Sequence, residues 1–487
     1  MTTIGSMRLK YQQACAMKKL ILIGFAMGVF WGPFGCVRNP VTGKRQIVLV
    51  SEAEEIAMGQ KSDPQVREEY GVAAGERLQD YVDGLGHKLV RVSHRPNLEW
   101  HFTVVDSPVV NAFALPGGYV YVTRGILAYL GNEAELAGVM GHEIGHVTAR
   151  HSVRQITRDE FAQIGLGAGS VMSPALSQLG GVAQSGLGMM FLRFGRDDER
   201  EADRLGVEYA ARAAYDPRQV SSFFDVLGRL SAAEDRQTIP GWLSTHPNPP
   251  DRVEATRKEA EEWIQMLGLP EERMTVNRDP FLRELDGMAF GSNPREGFSE
   301  GRLFYHPELE FQIEFPADWR VDNAREAVIS TEPQRRGSIQ LTVAAAPRGM
   351  TARDYVRALA LHGLLPARTR EVQIHGYTAI LASYSGASAA FIEFRERIYQ
   401  IVGVGRLKDA FEQTVQSFDR ITNERILNVK PDRLKVYDAK DGETLRSLAE
   451  ESRNPRVTAD DLAVLNRMAI DQPITPGRLV KLVEPGY

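Results

Sequence analysis

Hydrophobic positions in the first half of the chain recur mainly at helical spacing. Across residues 51–94, apolar residues return every three or four positions among many charges, which predicts a helical opening. Apolar and polar residues alternate over residues 100–105, and Tyr119–Thr123 has strand character after a Pro-Gly-Gly turn, so we expect two strands. Helical spacing returns over residues 133–152, which predicts one long helix.

Residues 164–195 are rich in Gly, Ser, Met and Leu, a composition that a hydropathy scan could take for a membrane segment. Polar residues and a proline interrupt the apolar run, so we favour a mobile or buried helical hairpin beside an active site. Helical periodicity resumes at Arg196 and continues to about Gly268, with breaks at Pro217 and over residues 240–250. We therefore expect a mainly α-helical domain with a small β-sheet.

The pattern changes after residues 279–299, where Gly, Asn and Pro gather and predict a linker. Alternating strand patterns and two helical stretches follow, which predict a separate α+β domain at residues 300–425. The final unit, residues 430–487, has the pattern strand, helix, helix, strand. At roughly 150 residues per domain, a chain of this length suggests about three domains, so we predict a multidomain protein.

Composition and charge are those of an ordinary folded protein. Apolar residues make up 43% of the chain and charged residues 25%, close to globular averages, which disfavours wholesale disorder and a polytopic membrane protein. The formal charge of -5 at pH 7 is small. Nucleic-acid-binding proteins usually carry a basic domain or face, so we expect no nucleic acid partner.

The N-terminus has the order of an export signal. Two lysines precede an apolar run over residues 20–34, which ends at Gly35 and Cys36. The run is short for a membrane-spanning helix, and a small residue before cysteine is typical of bacterial lipoproteins, so we predict a signal peptide at residues 1–36 and lipidation of Cys36. Pro33 departs from the usual lipoprotein pattern, and a soluble periplasmic protein cut nearby or an uncleaved anchor are the alternatives.

Candidate chemistry begins at His142, Glu143 and His146, inside the predicted helix. Residues four apart share a helix face, so both imidazoles can reach one Zn²⁺, while Glu143 can hold a water and act as general base. The same short pattern also occurs by chance in amphipathic helices whose histidines are ordinary core or surface groups. The spacing predicts one zinc ion per chain, provided that a third ligand exists.

A second helical segment offers that ligand. Glu199 and Asp203 are four residues apart and share a face, whereas Glu201 falls on nearly the opposite side. Glu199 therefore suits the third zinc position, and Asp203 suits a place behind a ligand histidine, where it would accept the free N–H. Alone, such a segment is typical of a solvated, ion-paired helix face. His151 follows His146 by five residues and falls off its face, so it is not included in the site.

Together these motifs resemble the HtpX/BepA/CAAX-protease-type family of zinc metalloendopeptidases, which are gluzincins. The resemblance covers about residues 37–265, and the predicted zinc metallopeptidase domain spans residues 37–278. Beside the paired histidines, the segments that match are residues 39–43, residues 111–118, Glu199 with Asp203, and residues 244–247 with Arg252. The resemblance implies that His142, His146 and Glu199 bind zinc and that Glu143 is the base.

The resemblance also implies roles for two further segments. His246 matches a histidine that in relatives lies over the metal, where it either stabilises the oxyanion or fills the open site as a self-inhibiting plug. A loop histidine held only by neighbouring prolines is the alternative. Asn111, Ala112, Phe113 and Ala114 match an edge strand along which an extended peptide substrate pairs through backbone hydrogen bonds, with an ordinary hairpin as the alternative.

Weaker resemblances cover the second half of the chain. Residues 311–321 resemble the opening hairpin of PsbP-like domains, which implies a binding or scaffolding module. The final unit resembles LysM over residues 441–449 and 462–477, which implies affinity for peptidoglycan glycans. Because the matching positions are mainly turn and core residues, a LysM-like βααβ fold that does not bind glycan is the alternative.

We therefore expect a zinc metalloendopeptidase of the bacterial cell envelope that hydrolyses misfolded or misassembled envelope proteins. It would lie in the periplasm, with an N-terminal lipid in the outer membrane and its last domain on peptidoglycan. The alternative is a plugged, chaperone-like or peptidoglycan-tethered scaffold protein with little proteolysis. Both hypotheses use the same ligands, so the sequence does not separate them.

Overall fold

A computed structural model describes most of the chain. It covers residues 35–167, 194–232, Trp242, His246 and 251–486, apart from 325–326, 335, 362–363, 406 and 453. The predicted signal segment before Gly35 and residues 168–193 of the predicted hairpin lie outside the described residues. No helix in the described part of the chain is both long and apolar enough to cross a membrane.

The N-terminal region is mainly helical. Its helices are α1 (Glu52–Tyr70), α2 (Glu76–Val90), α3 (Arg124–Tyr129), α4 (Glu133–Thr148), α5 (His151–Gly167), α6 (Arg196–Arg212), α7 (Gln219–Ala232), α8 (Arg252–Leu267) and α9 (Arg278–Glu284). Its strands are β1 (Gly35–Arg38), β2 (Arg45–Val48), β3 (His101–Val105), β4 (Ala112–Leu115), β5 (Tyr119–Thr123) and β6 (Ala289–Phe290). A helical first part with a small sheet agrees with the prediction.

The small sheet has the order β3, β5, β4. β3 and β5 run parallel, and β4 pairs with β5 antiparallel, with Phe113 opposite Tyr121. All five residues of β5 are buried, as expected for a central strand covered on both faces. Among the described strands, β4 has one neighbour and therefore forms an edge.

The helix predicted over residues 133–152 is divided into α4 and α5. Arg150 lies between them with φ 58, in a left-handed conformation that is uncommon for a residue other than glycine. Its buried guanidinium donates to Glu55 at 2.8 Å and to the carbonyl of Val50 at 3.1 Å. The prediction of one continuous helix was wrong because these partners lie 95 and 100 positions away in the sequence.

A large sheet-rich region follows, which we call the sheet domain (residues 298–420). Its elements are β7 (Phe298–Glu300), β8 (Leu303–His306), β9 (Phe311–Glu314), β10 (Arg320–Asn323), β11 (Val328–Thr331), β12 (Ser338–Val343), α10 (Ala352–Leu361), β13 (Arg368–Ile374), β14 (Tyr377–Tyr384), β15 (Ala387–Phe394), β16 (Arg397–Val404), α11 (Lys408–Gln416) and β17 (Asp419–Arg420). β10–β16 form a 7-stranded antiparallel sheet in the order β10, β11, β12, β16, β15, β14, β13. The remaining strands form a 4-stranded sheet in the order β17, β9, β8, β7.

The last part of the chain, residues 432–486, we call the C-terminal unit. After a short helix α12 (Glu424–Leu427), it contains β18 (Asp432–Asp438), α13 (Leu445–Ser452), α14 (Ala459–Asn466) and β19 (Leu479–Glu484). This is the order strand, helix, helix, strand that was predicted. The segment predicted as a linker contains β6, which pairs with β18, and most of α9, which buries Phe281 in the core of the N-terminal region.

Candidate metal centre

Two helices bring most of the candidate site together. α4 is buried along its whole length, and α6 packs directly against it. The contact is close because glycines of the two helices face each other. A Cβ atom on Gly206 would lie 3.0 Å from the backbone nitrogen of His142, and a Cβ atom on Gly141 would lie 3.1 Å from the backbone of Gly206. Side chains at these positions would keep the two helix backbones further apart. This approach places the histidines of α4 beside Glu199 of α6.

Four side chains offer ligand atoms that lie within 4.8 Å of one another: His142, His146, Glu199 and His246. His142 Nε2 lies 3.0 Å from His146 Nε2 and 3.3 Å from His246 Nδ1. His246 Nδ1 lies 2.9 Å from Glu199 Oε1, and His146 Nε2 lies 3.6 Å from the same oxygen. The structure thus brings the three predicted zinc ligands together, and it places His246, which was predicted to lie over the metal, beside them.

This arrangement fits a zinc ion. Zinc binds imidazole nitrogen at about 2.0–2.1 Å in tetrahedral geometry, which separates two ligand nitrogens by about 3.3 Å. His142 Nε2 lies close to that distance from both His146 Nε2 and His246 Nδ1. In addition, Glu143 Oε1 and Glu199 Oε2 are buried without a hydrogen-bond partner among the residues that the structure describes. Buried polar atoms of this kind require a partner such as a cation or water.

The ionisation of the ligands also suits zinc. Burial lowers the pKa of His142 and of His146, so both imidazoles are neutral at neutral pH, the form that binds metal. Burial raises the pKa of Glu199, but His246, His142 and Arg252 together outweigh burial and hold that pKa below its usual value. The three predicted zinc ligands are therefore two neutral imidazoles and one ionised carboxylate.

Asp203 lies where the sequence predicted it, behind a ligand histidine. His142 Nδ1 is 2.9 Å from Asp203 Oδ1. Arg252, which is buried, donates through Nε to Asp203 Oδ2 at 2.8 Å and through Nη2 to Oδ1. Burial raises the pKa of Asp203, but Arg252 and His142 outweigh it, so the pKa is lowered and the carboxylate is ionised. The ionised Asp203 therefore favours a proton on His142 Nδ1, which leaves the lone pair of Nε2 free to coordinate a metal.

His246 is held over the cluster by aromatic packing. Its ring stacks on the ring of Trp242 with centroids 4.4 Å apart. The ring of Phe194 is tilted relative to it, with centroids 6.2 Å apart. The Trp242 backbone N–H donates to the carbonyl of Val110 at 2.9 Å, which ties this segment to the chain just before β4. His246 Nε2 lies 3.6 Å from Glu143 Oε1. One imidazole thus faces a predicted ligand and the predicted base at once.

Glu143 is fully buried beside the cluster. Burial raises its pKa to about 8, and the neighbouring His246 opposes that rise. A carboxylate with a raised pKa is a stronger base than an exposed glutamate. Glu143 therefore lies where proton transfer at this site requires a base, and a cation bound at the cluster would favour its ionised form.

The predicted substrate strand is at a sheet edge close to α4. Ala112, Phe113 and Ala114 belong to β4, which packs against α4, and Asn111 precedes it. The carbonyl of Asn111 accepts from the backbone N–H of Thr123 at 3.1 Å, on the side of β5. An edge strand has unpaired backbone groups on its outer side.

Cys36, the predicted lipidation site, lies in β1, and the segment before Gly35 is not described.

Sequence reasoning missed three residues near the ligands. These are His151, which contacts His146, and Glu201, which contacts both His151 and Arg154. His151 was excluded because a continuous helix would have turned it away, but the break at Arg150 turns it back toward α4. No local signal in the sequence marks that break, because arginine is not a residue that usually adopts positive φ.

Two imidazoles one turn apart, a glutamate from a second helix and a further glutamate next to the first histidine form the ligand and base set of a gluzincin-type metallopeptidase. Residues 76–260 match the model of peptidase family M48, so this part of the chain is similar to the zinc metalloendopeptidases of that family. The match confirms the resemblance that the motifs indicated.

Several relatives match part of the chain. A putative beta-barrel assembly-enhancing protease of Vibrio cholerae is 35% identical over 196 residues, which is 38% of this chain and 40% of the relative. The beta-barrel assembly-enhancing protease of Escherichia coli K12 is 30% identical, covering 45% of this chain and 46% of the relative. The mitochondrial metalloendopeptidase OMA1 of Schizosaccharomyces pombe is 33% identical, covering 46% and 65%. The chain thus spans less than half the length of the bacterial relatives.

Solved structures include one with low similarity to part of this chain. A solution structure of cyanobacterial PsbP from Synechocystis matches 25% of this chain and 95% of its own, at 10% identity and a TM-score of 0.21. That similarity is too low to define the fold of the sheet domain, so the PsbP-like and LysM-like assignments stay predictions.

Proposed function

We propose that this chain is a zinc-dependent endopeptidase of the bacterial cell envelope that hydrolyses misfolded or misassembled envelope proteins. The meeting of His142, His146 and Glu199 next to the buried Glu143 supports this proposal most strongly. The two bacterial relatives are named beta-barrel assembly-enhancing proteases, which supports envelope proteins as the substrate class.

The chain's own residues divide the chemistry among them. Zinc, when bound by His142, His146 and Glu199, would polarise both a water and the substrate carbonyl. Glu143 accepts the proton of the attacking water and delivers it to the leaving amine. A peptide in extended conformation adds to β4 at Asn111–Ala114 through backbone hydrogen bonds, so selection depends little on side chains.

His246 supports the second hypothesis, a site that is closed at rest. Its Nδ1 lies 2.9 Å from Glu199 Oε1 and 3.3 Å from His142 Nε2, which is the position of a fourth ligand rather than of substrate. A ligand there would exclude water and substrate from zinc. In this form the chain acts as a chaperone or scaffold, and proteolysis requires His246 to move.

The proposed location in the envelope rests on predicted features outside the site. Lipidation of Cys36 would anchor the protein to the outer membrane, facing the periplasm, and a LysM-like C-terminal unit would contact peptidoglycan. Replacing Cys36 with serine should release the protein from the membrane fraction, and unchanged fractionation would exclude the anchor.

Cleavage of an unfolded protein substrate by full-length protein tests the enzymatic proposal. Wild type should cleave and should lose activity with a chelator, while Glu143→Gln should retain zinc but cleave about 10²- to 10⁴-fold more slowly. Glu262→Gln, on the exposed side of α8, serves as the matched control and should behave as wild type.

His246→Ala separates the two hypotheses. If the imidazole closes the site, this variant cleaves faster than wild type while binding zinc. If neither wild type nor His246→Ala cleaves with zinc bound, the scaffold hypothesis replaces the enzyme. Equal cleavage by wild type and Glu143→Gln would exclude the assigned base.

A further inference from the structure

A chain of hydrogen bonds runs outward from His146, on the side away from the metal cluster. His146 Nδ1 lies 2.9 Å from His151 Nδ1, and His151 Nε2 lies 3.1 Å from Glu201 Oε2. The same carboxylate oxygen accepts from Arg154 Nη2 at 2.9 Å. His151 is fully buried, and Glu201 is partly buried.

The protons in this chain are determined by the ligand role of His146. If its Nε2 lone pair faces the metal, the ring proton is on Nδ1 and must be donated. The atom that faces it is His151 Nδ1, which accepts only when His151 carries its own proton on Nε2. That proton is then directed at Glu201 Oε2. A single set of tautomers therefore satisfies every atom from His146 to Glu201.

The two candidate zinc histidines consequently have different supports. His142 Nδ1 lies directly beside the ionised carboxylate of Asp203, at 2.9 Å, and Arg252 neutralises that carboxylate. His146 instead donates to a neutral imidazole, and the carboxylate stands one residue further out. Arg154 Nη2 donates to that carboxylate at 2.9 Å, an ion pair that favours its ionised form.

His151, Asp198 and Glu201 also have ligand atoms close together, as a second metal site would require. Two arginines argue against that reading. Arg154 Nη2 donates to Asp198 at 2.6 Å and to Glu201 at 2.9 Å, and Arg158 Nη1 donates to Asp198 at 3.0 Å. With the carboxylates already neutralised, the cluster is suited to hold an imidazole in place rather than a cation.

We propose that His151 and Glu201 are positioning residues that fix the tautomer and ring orientation of His146 for zinc. The proposal rests on the proposed zinc site and extends it to one specific relay, His146 to His151 to Glu201. Outer partners of metal ligands typically change metal affinity by about 10- to 100-fold when they are removed. The relay should therefore act on zinc binding itself, before any cleavage takes place.

The test compares variants of the full-length protein by zinc affinity. His151→Leu, which removes both ring nitrogens at similar volume, should weaken zinc binding by about 10- to 100-fold. His151→Asn restores an acceptor for His146 but cannot reach Glu201, so it should recover part of the loss. Glu201→Gln should give a smaller loss in the same direction, and Glu262→Gln should give none.

Cobalt provides a second measurement that a general loss of stability would not change. Co²⁺ in place of zinc has visible absorption bands that depend on its ligands, and these bands should shift in His151→Leu and Glu201→Gln but not in Glu262→Gln. Thermal unfolding identifies any variant that does not fold, and in that case Glu201→Gln, at a partly exposed position, decides the outcome.

Unchanged zinc affinity and unchanged cobalt spectra in folded His151→Leu and Glu201→Gln would overturn the relay. Equal losses in His151→Asn and His151→Leu would overturn the acceptor role assigned to His151 Nδ1. If wild type itself binds no zinc, the proposed function fails. If wild type binds zinc and cleaves substrate while the variants match it, only this inference fails.

Discussion

The sheet domain and the C-terminal unit are neighbours in the sequence, but they pack differently with the mainly helical N-terminal region (residues 35–290), which we call the peptidase region. The sheet domain buries its apolar side chains in two clusters of its own, built from residues 304–418. The C-terminal unit shares one core with the peptidase region: Leu462 and Val480 belong to the same buried cluster as Leu136 and Phe281. The order of domains along the chain therefore does not reveal which of them share a core.

The path of the chain explains this difference. β6, just before the sheet domain, pairs antiparallel with β18, just after it, and Phe290 lies opposite Asp432. Opposite residues in an antiparallel pair have Cα atoms about 5 Å apart. The sheet domain is thus an insertion between two adjacent strands, and the C-terminal unit completes a fold that began before it.

Polar contacts strengthen the shared interface. The buried Lys481 donates to the carbonyl of Ala128 at 2.6 Å and to the carbonyl of Leu130 at 2.9 Å. Arg467 pairs with the buried Glu135, with Nη2 and Oε2 2.6 Å apart. These acceptors lie in α3, just after it and in the first turn of α4. The C-terminal unit therefore holds the start of the helix that carries both candidate zinc histidines.

The largest effect should come from removing the C-terminal unit. A chain that ends at Asn428 would expose the apolar side chains of α9 and the peptidase core that the unit covers. Because a domain is stable by only about 5–15 kcal/mol, we expect insoluble protein or loss of the cooperative thermal transition of the peptidase region. A truncated protein that unfolds at the wild-type temperature and binds zinc equally well would disprove the shared core.

Breaking the ion pair across the interface should have the next largest effect. Arg467→Met leaves the carboxylate of Glu135 buried without its cation, which should lower the free energy of unfolding by about 3–5 kcal/mol in urea denaturation. Arg446→Met is the matched control in the same unit, because the pair of Arg446 with Asp471 is exposed. Similar losses in both variants would show that position at the interface is unimportant.

Lys481 should make stability depend on pH. Burial lowers its pKa from 10.5 to about 7, with Arg467 adding to the shift, so the folded protein holds a neutral amine while the unfolded chain keeps the proton. Unfolding then takes up a proton between pH 7 and 10.5, and stability rises with pH by up to about 1.4 kcal/mol per unit. Urea unfolding from pH 7 to 9.5 measures this slope, which Lys481→Met should lack.

The control for Lys481 is Lys435→Met, a change at a half-exposed lysine of β18. This variant should keep the wild-type slope because Lys435 retains access to solvent. Parallel pH profiles for wild type and Lys481→Met would mean that Lys481 is protonated in the folded protein.

The smallest effect should come from removing the sheet domain. Replacing residues 294–428 with a short Gly-Ser loop joins β6 to β18 as a hairpin connection, and the cost of closing such a loop changes by only about 0.6 kcal/mol per doubling of its length. Zinc affinity and unfolding of the remaining protein should stay near wild type. Loss of zinc binding in this variant would show that the sheet domain supports the site directly.

Some of the candidate site was predictable from spacing within single helices. His142 with His146, and Glu199 with Asp203, are four residues apart, and helix geometry alone places each pair on one face. His151 was not predictable in this way, because its approach to His146 depends on the break at Arg150. That break depends in turn on Glu55 and Val50, which belong to a different part of the chain.

The sequence by itself determined the order of helices and strands and the faces on which the ligand residues lie. Only the tertiary structure decided that α4 and α6 meet at glycines, that His151 supports His146, and that the C-terminal unit completes the peptidase core. Periodicity describes one element at a time. Contacts between residues far apart in the sequence decide these features, such as His151 with Glu201 at 50 positions and Lys481 with Ala128 at 353, and they form only when the whole chain packs.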